Sequence, residues 1–164
     1  MAIYTKTGDK GKTGTFSGKR TSKSSRLIHA IGAVDELNSY LGIIGGMEEV
    51  QRTLFTINSI LTGAKLEFPK DATQKLEKEI DKWEGTLPVL KNFIIYGGNK
   101  KASQIYFARS LARRAERVLV DLRIRSRKDE ILMYVNRLSD YLFMFARYTN
   151  FKSKIEERVW KIKK

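Results

Sequence analysis

The stretch Arg109-Ser110-Leu111-Ala112-Arg113-Arg114-Ala115-Glu116-Arg117 decides how this chain is read. It lies in a run from about Ala102 to Leu122 that has no Gly or Pro and is rich in Ala, Leu and Arg, residues that favour helix. At 3.6 residues per turn, Arg109, Arg113, Glu116 and Arg117 fall within roughly 100° of one another. Leu111, Ala115, Val118 and Leu122 make a second, apolar face. One stripe thus carries three guanidiniums and a carboxylate. Guanidiniums stay protonated and bind phosphate or carboxylate through paired donors. The same stripe also fits a solvated face laced by pairs such as Arg113–Glu116.

Four further helices flank this one. Towards the N-terminus, Leu27, Ile31, Val34, Leu37, Leu41 and Ile44 recur at helical spacing. Ser24 or Ser25 caps that helix and Gly45-Gly46 ends it. Asp35, Glu36 and Asn38 lie beside its apolar stripe, and Asp35, next to Val34, is expected to be partly buried and in need of a partner. His29 reads as a helix-surface residue with no role. Glu48 to about Lys65 is the second helix, with Val50, Leu54, Ile57, Leu61 and Ala64 inward, broken at Phe68-Pro69. Asp71 or Thr73 starts a third, charged helix through Trp83, with a solvated outer face of Lys75, Glu77, Lys78, Glu79 and Lys82. The fifth runs from about Asp129 to Thr149, with Ile131, Val135, Leu138, Leu142 and Phe145 inward and Asn136, Ser139 and Asp140 on a polar side beside Arg137. Amphipathic helices joined by short loops predict an all-α, five-helix antiparallel bundle.

Residues 1–24 differ in kind. The alternation of Thr, Gly and Lys is too polar and Gly-rich for helix, and predicts an ordered loop with a short strand at Ile3–Thr5. Glycines let successive N–H groups point at one anion, and Lys6, Lys10, Lys12, Lys19 and Lys23 add charge. Gly11-Lys12-Thr13 is not a P-loop: Lys6 occupies the place of that motif's first Gly, and no buried strand or following helix frames it. A flexible basic tail is the other reading of this segment. The connector carries Phe93-Ile94-Ile95-Tyr96 before Gly97-Gly98, an apolar run closed by a turn. It fits either core filling or an aromatic lid over a planar ligand. The basic tail, residues 151–164, is expected to be held by Val159, Trp160 and Ile162.

The chain of 164 residues is one domain in length, with no linker or repeat. It has no Cys and one His, which rules out disulfides, thiolate metal sites and multi-histidine sites. No apolar run approaches the roughly 20 residues of a membrane span, and the start lacks a signal-peptide core, so the expected location is cytoplasmic. A formal charge of +14 calls for an anionic partner: nucleotide, nucleic acid or a membrane surface.

Four segments, in order and spacing, resemble one family: Tyr4-Thr5-Lys6-Thr7-Gly8-Asp9-Lys10-Gly11, Val34-Asp35-Glu36-Leu37-Asn38, Arg113-Arg114-Ala115-Glu116-Arg117 and Asn136-Arg137-Leu138-Ser139-Asp140. Together with Phe93 before Gly97-Gly98, they are similar to the PduO-type ATP:cob(I)alamin adenosyltransferases, from about Ile3 to Asn150. The resemblance implies a homotrimer of five-helix bundles with active sites between subunits. Its reaction moves the 5′-deoxyadenosyl group of ATP to the cobalt of reduced cobalamin and releases triphosphate. It implies that Thr5, Lys6, Thr7, Gly8, Thr13, Gly14 and Lys23 wrap the triphosphate. Arg113, Arg114, Glu116 and Arg117 are then expected in the nucleotide site, with Asn136 at the adenosyl end. Asp35 is expected to pair with Arg109 across the subunit boundary, and Phe93 to replace cobalamin's lower axial base. Mg²⁺ is expected on the phosphates, with Glu116 either touching it or orienting Arg113. A cobalamin reductase is the implied protein partner, and nucleic acid is the competing partner class. Gly14 where the family more often has Ser or Thr, Tyr96 where Pro is common, and the short Gly45-Gly46 link depart from the pattern.

Overall fold

The structure is a computed structural model that describes residues 3–122 and 128–161. Met1, Ala2, residues 123–127, Ile162, Lys163 and Lys164 lie outside them. A hairpin, β1 (Lys12–Gly14) and β2 (Arg20–Ser22), precedes α1 (Arg26–Ile44), α2 (Glu48–Leu61) and α3 (Ala72–Glu84). Strand β3 (Ile94–Ile95), α4 (Lys100–Asp121), α5 (Lys128–Lys152) and β4 (Arg158–Val159) complete the chain.

Local chemistry sets the starts of α1 and α4. Ser25 accepts from the Ile28 N–H at the start of α1, and Asn99 accepts from the Ala102 N–H at 2.7 Å at the start of α4. Gly45, at φ +73°, ends α1. Helix α2 stops at Leu61, short of the expected Lys65. Gly63 takes φ +99° there, and a side chain at that position would meet Ser17 of the first hairpin.

Successive helices alternate in direction. Along α1 and α4, Arg26 pairs with Asp121 and Glu36 with Arg114. Along α4 and α5, Asn99 meets Asn150 and Glu116 meets Asn136. Gln51 and Asn58 of α2 reach back to the Asn38 and Ile31 carbonyls of α1. Glu77 and Trp83 of α3 lie beside Arg137 and Phe145 of α5. Helix α4 sits between α1 and α5, and its Ala102, Ala108, Ala112 and Ala115 are buried. Small residues at a contact let helices approach closely. Leu37, Leu41, Leu54, Ile57, Ile105, Leu138 and Leu142 fill the core, each stabilising the fold by roughly 1.5–3 kcal/mol. The five-helix, all-α expectation holds. Among the described residues, no helix is long and apolar enough to cross a membrane.

Three features differ from what the sequence pattern predicts. Ile3–Thr5 forms no strand; the N-terminal pairing is Lys12–Gly14 with Arg20–Ser22, because the Thr15–Gly18 turn lies between those segments. Ser139 is buried rather than on a polar side, since it points inward between Val135 and Leu142. The outer face of α3 is not all solvated: Glu77 is half-buried against Arg137, while Lys75 stays exposed beside Glu49 of α2.

Candidate active site

The outward face of α4 presents Arg113 and Arg117 to solvent. Among the described residues, neither has a hydrogen-bond or ion-pair partner. Their flanks are different. On the α1 side, Arg114 is paired with Glu36. On the α5 side, the Glu116 carboxylate accepts from the Asn136 amide at 2.8 Å. The expected Arg113–Glu116 pair is therefore replaced by Glu116–Asn136, because α5 packs against that edge of α4. The result is two open guanidiniums flanked by one carboxylate paired with a cation, Glu36, and one held by an amide, Glu116. Such a pair of fixed cations suits a polyanion.

Asp35 is exposed, not partly buried as expected, and among the described residues it has no partner. Val34, Leu37, Asn38 and Leu41 take the inward positions of α1, which turns Asp35 out. Asn38 is buried instead, with its side-chain oxygen unpaired. Arg109 lies higher on α4, with its guanidinium 5.3 Å from the Tyr96 ring and 5.5 Å from the Phe143 ring. Tyr96 stacks on Tyr106, whose phenol burial pushes up to about 12.

The N-terminal loop brings a second group together. Thr5 and Thr7 hydroxyls are 2.8 Å apart, and Lys6 between them has φ +56°, a conformation uncommon for a residue with a side chain. A side chain added at Gly8 would press on Lys23 Nζ. The Arg20 guanidinium donates to the Thr7 and Lys12 carbonyls, locking this turn to the hairpin. Thr13 and Gly14 stand on β1, opposite Thr21 and Arg20. Ser17 ties the hairpin to the end of α2 through the Thr62 carbonyl at 3.1 Å. Among the described residues, no hydrogen bond or ion pair joins this loop to α4. One chain thus holds two basic half-sites.

Phe93 is 79% exposed, so the core-filling reading of this run fails for it. Its ring meets Trp160 edge-on at 6.4 Å, and its carbonyl accepts from the Trp160 N–H at 2.8 Å. With Leu90, Lys91, Asn92 and Lys161, the two rings line an open pocket of about 710 Å³. Sequence reasoning missed the strand pairing of Ile94–Ile95 with Arg158–Val159 that makes this contact. The apolar Val159-Trp160 pair was its only trace. Among the described residues, no cluster of three or more His, Cys, Asp or Glu is placed to hold a metal.

Residues 3–149 match the family model described as cobalamin adenosyltransferase. The chain belongs to the cobalamin adenosyltransferase family. It is 39% identical over 175 residues to a corrinoid adenosyltransferase of Bacillus subtilis, covering 94% of this chain and 90% of that one. It is 40% identical over 161 residues to a cobalamin adenosyltransferase of Cupriavidus metallidurans, covering 90% and 88%. A variant PduO-type ATP:corrinoid adenosyltransferase from Lactobacillus reuteri, complexed with cobalamin and ATP, superposes with a TM-score of 0.91 at 33% identity, covering 98% of this chain and all of that one. The family thus extends across both basic half-sites and the Phe93 connector.

Proposed function

We propose that the chain transfers the 5′-deoxyadenosyl group of ATP to the cobalt of reduced cobalamin, and that the residues above carry the reaction. The observation that carries this reading is the pair of guanidiniums, Arg113 and Arg117, without a partner among the described residues, on the central helix of a bundle of the adenosyltransferase family. Reduced cobalt supplies the electron pair that forms the bond to C5′. The C5′–O bond breaks, and its electrons leave with the triphosphate. No general base is needed, because no proton is removed in forming that bond. The protein's work is to hold C5′ in line with cobalt and to neutralise the departing charge.

Arg113 and Arg117 stabilise the leaving triphosphate, while Thr5, Lys6, Thr7, Gly8, Thr13, Gly14 and Lys23 wrap it. Asn136, held by Glu116, orients the adenosyl end, and Arg114 braces the site from Glu36. Glu116 already has the Asn136 amide as its partner, so Mg²⁺ would ride on phosphate oxygens with few protein ligands. Phe93 offers an apolar surface that excludes water and an axial base from cobalt's lower face.

Among the described residues of one chain no hydrogen bond or ion pair joins the two half-sites, which favours a site completed between copies. We therefore read the active form as a homotrimer in which the loop of one subunit meets α4 of the next. Asp35 of one copy then pairs with Arg109 of its neighbour. Exposed Ile43, Phe107 and Met133 suit such an interface. A reductase must supply the electron to the corrinoid, and that chemistry suits the reducing cytoplasm. The relatives lend the nucleic-acid alternative no support.

The test is an anaerobic assay with ATP and chemically reduced cobalamin, followed by absorbance. Wild-type protein is expected to form adenosylcobalamin and triphosphate in equal amounts. No product, under conditions where an authentic adenosyltransferase is active, would sink the reading. Sedimentation is expected to give three times the 18.9 kDa chain mass, and a monomer active at every dilution would remove the shared site.

A further inference from the structure

The Phe93 connector is held by an unusual amount of buried polar chemistry. Arg147 on α5 is 4% exposed. Its Nε and Nη2 donate to the two Glu157 oxygens at 2.6 and 3.0 Å, and Nη2 also donates to the Pro88 carbonyl at 2.9 Å. One helical turn later, Asn150 is 3% exposed. Its amide donates to the Gly97 carbonyl at 2.8 Å and its oxygen accepts from the Asn99 N–H at 3.2 Å. Gly98, at φ +116°, passes so close that any side chain there would strike Asn150.

Residues at i and i+3 share a helix face. Pro88 and Gly97 are therefore pinned to one face of α5, and Phe93 sits midway between them. From Glu157 the chain continues into β4, which pairs with Ile94–Ile95 and delivers Trp160 to the Phe93 ring. A bidentate guanidinium–carboxylate pair is directional. Moving the connector would strand a buried guanidinium and a buried amide, which makes other positions unfavourable.

We propose that Arg147, Asn150 and Glu157 are positioning residues that set where Phe93 and Trp160 stand, and so act on the corrinoid and not on ATP. This rests on the adenosyltransferase reading for its kinetic part alone. None of the three residues touches Phe93, so their influence runs through the connector and β4.

The test is Glu157→Gln, which keeps the shape but loses the charge-assisted pair. Trp83 is buried and Trp160 half-exposed, so acrylamide quenching of fluorescence reports chiefly Trp160. Quenching is expected to rise about twofold, and the corrinoid KM about tenfold, with the ATP KM within about twofold of wild type. Unchanged quenching in folded protein, or a parallel rise in both KM values, overturns the proposal. Should Glu157→Gln not fold, Trp160→Ala removes only a half-exposed ring. It is expected to raise the corrinoid KM alone, and an unchanged corrinoid KM overturns the proposal. Quenching needs neither corrinoid nor turnover. A wild type without adenosyl transfer would therefore count against the proposed activity, while the quenching result would still decide the clamp.

Discussion

Arg113 and Arg147 stand on neighbouring helices, α4 and α5, and their surroundings differ in every respect that matters to a guanidinium. Arg147 is buried, held by a carboxylate on two of its nitrogens and by a backbone carbonyl. Arg113 is exposed, and among the described residues it has no partner. A cation whose donors are all taken by its own chain is spent on structure. A cation left open on a helix otherwise packed into the core is available to a ligand. The difference teaches where to look for function in a chain of charge +14: not at the number of basic residues, but at those the fold leaves unpaired.

The largest effect is expected at the buried arginine. Arg147→Ala leaves the Glu157 carboxylate facing an empty site. It is expected to lower unfolding free energy by about 3–5 kcal/mol in chemical denaturation. A loss below ~1 kcal/mol would mean the pair does not hold the connector. Arg113→Ala is expected to do the opposite: melting unchanged, and kcat reduced on the order of 10²–10³-fold. Wild-type turnover would remove Arg113 from the proposed site.

A smaller effect sharpens the contrast at the platform that the clamp holds. Phe93→Ala should leave ATP affinity and stability unchanged, because the ring is mostly exposed. Adenosylation of cob(II)alamin under reductant should slow about tenfold, equivalent to ~1.4 kcal/mol. Equal rates would deny the ring its role. The smallest effect concerns pH. Burial pushes the Tyr106 and Tyr141 phenols up to about 12, so the folded state favours their neutral forms. Their stabilisation is complete below pH 10 and is lost as pH rises towards 12. At pH 11 each contributes about 1 kcal/mol of destabilisation relative to pH 8. Tyr141→Phe should flatten that fall in denaturation curves. An identical pH profile would show that the phenol ionises equally in both states.

The Arg stripe, the capped first helix and the Thr/Gly/Lys loop were readable because each depends on neighbours within about four positions. Asp35 turns to solvent against the sequence pattern because it borders the apolar stripe, where a small rotation of α1 decides between core and solvent. The solvated reading of α3 fails at Glu77 for a similar reason. Glu77 looks like any surface carboxylate until α5 brings Arg137 to it.

The sequence by itself determined five amphipathic helices, the absence of cysteine chemistry, an excess of positive charge and the motifs that mark the family. Periodicity, caps and composition carry these properties, and none of them needs a distant residue. Only the tertiary structure decided which arginines are closed and which open, and that a strand near the C-terminus reaches back more than sixty positions to Ile94–Ile95. Contacts at such separation form only because packed helices bring them together. Their energy comes from burial and pairing that no local pattern records.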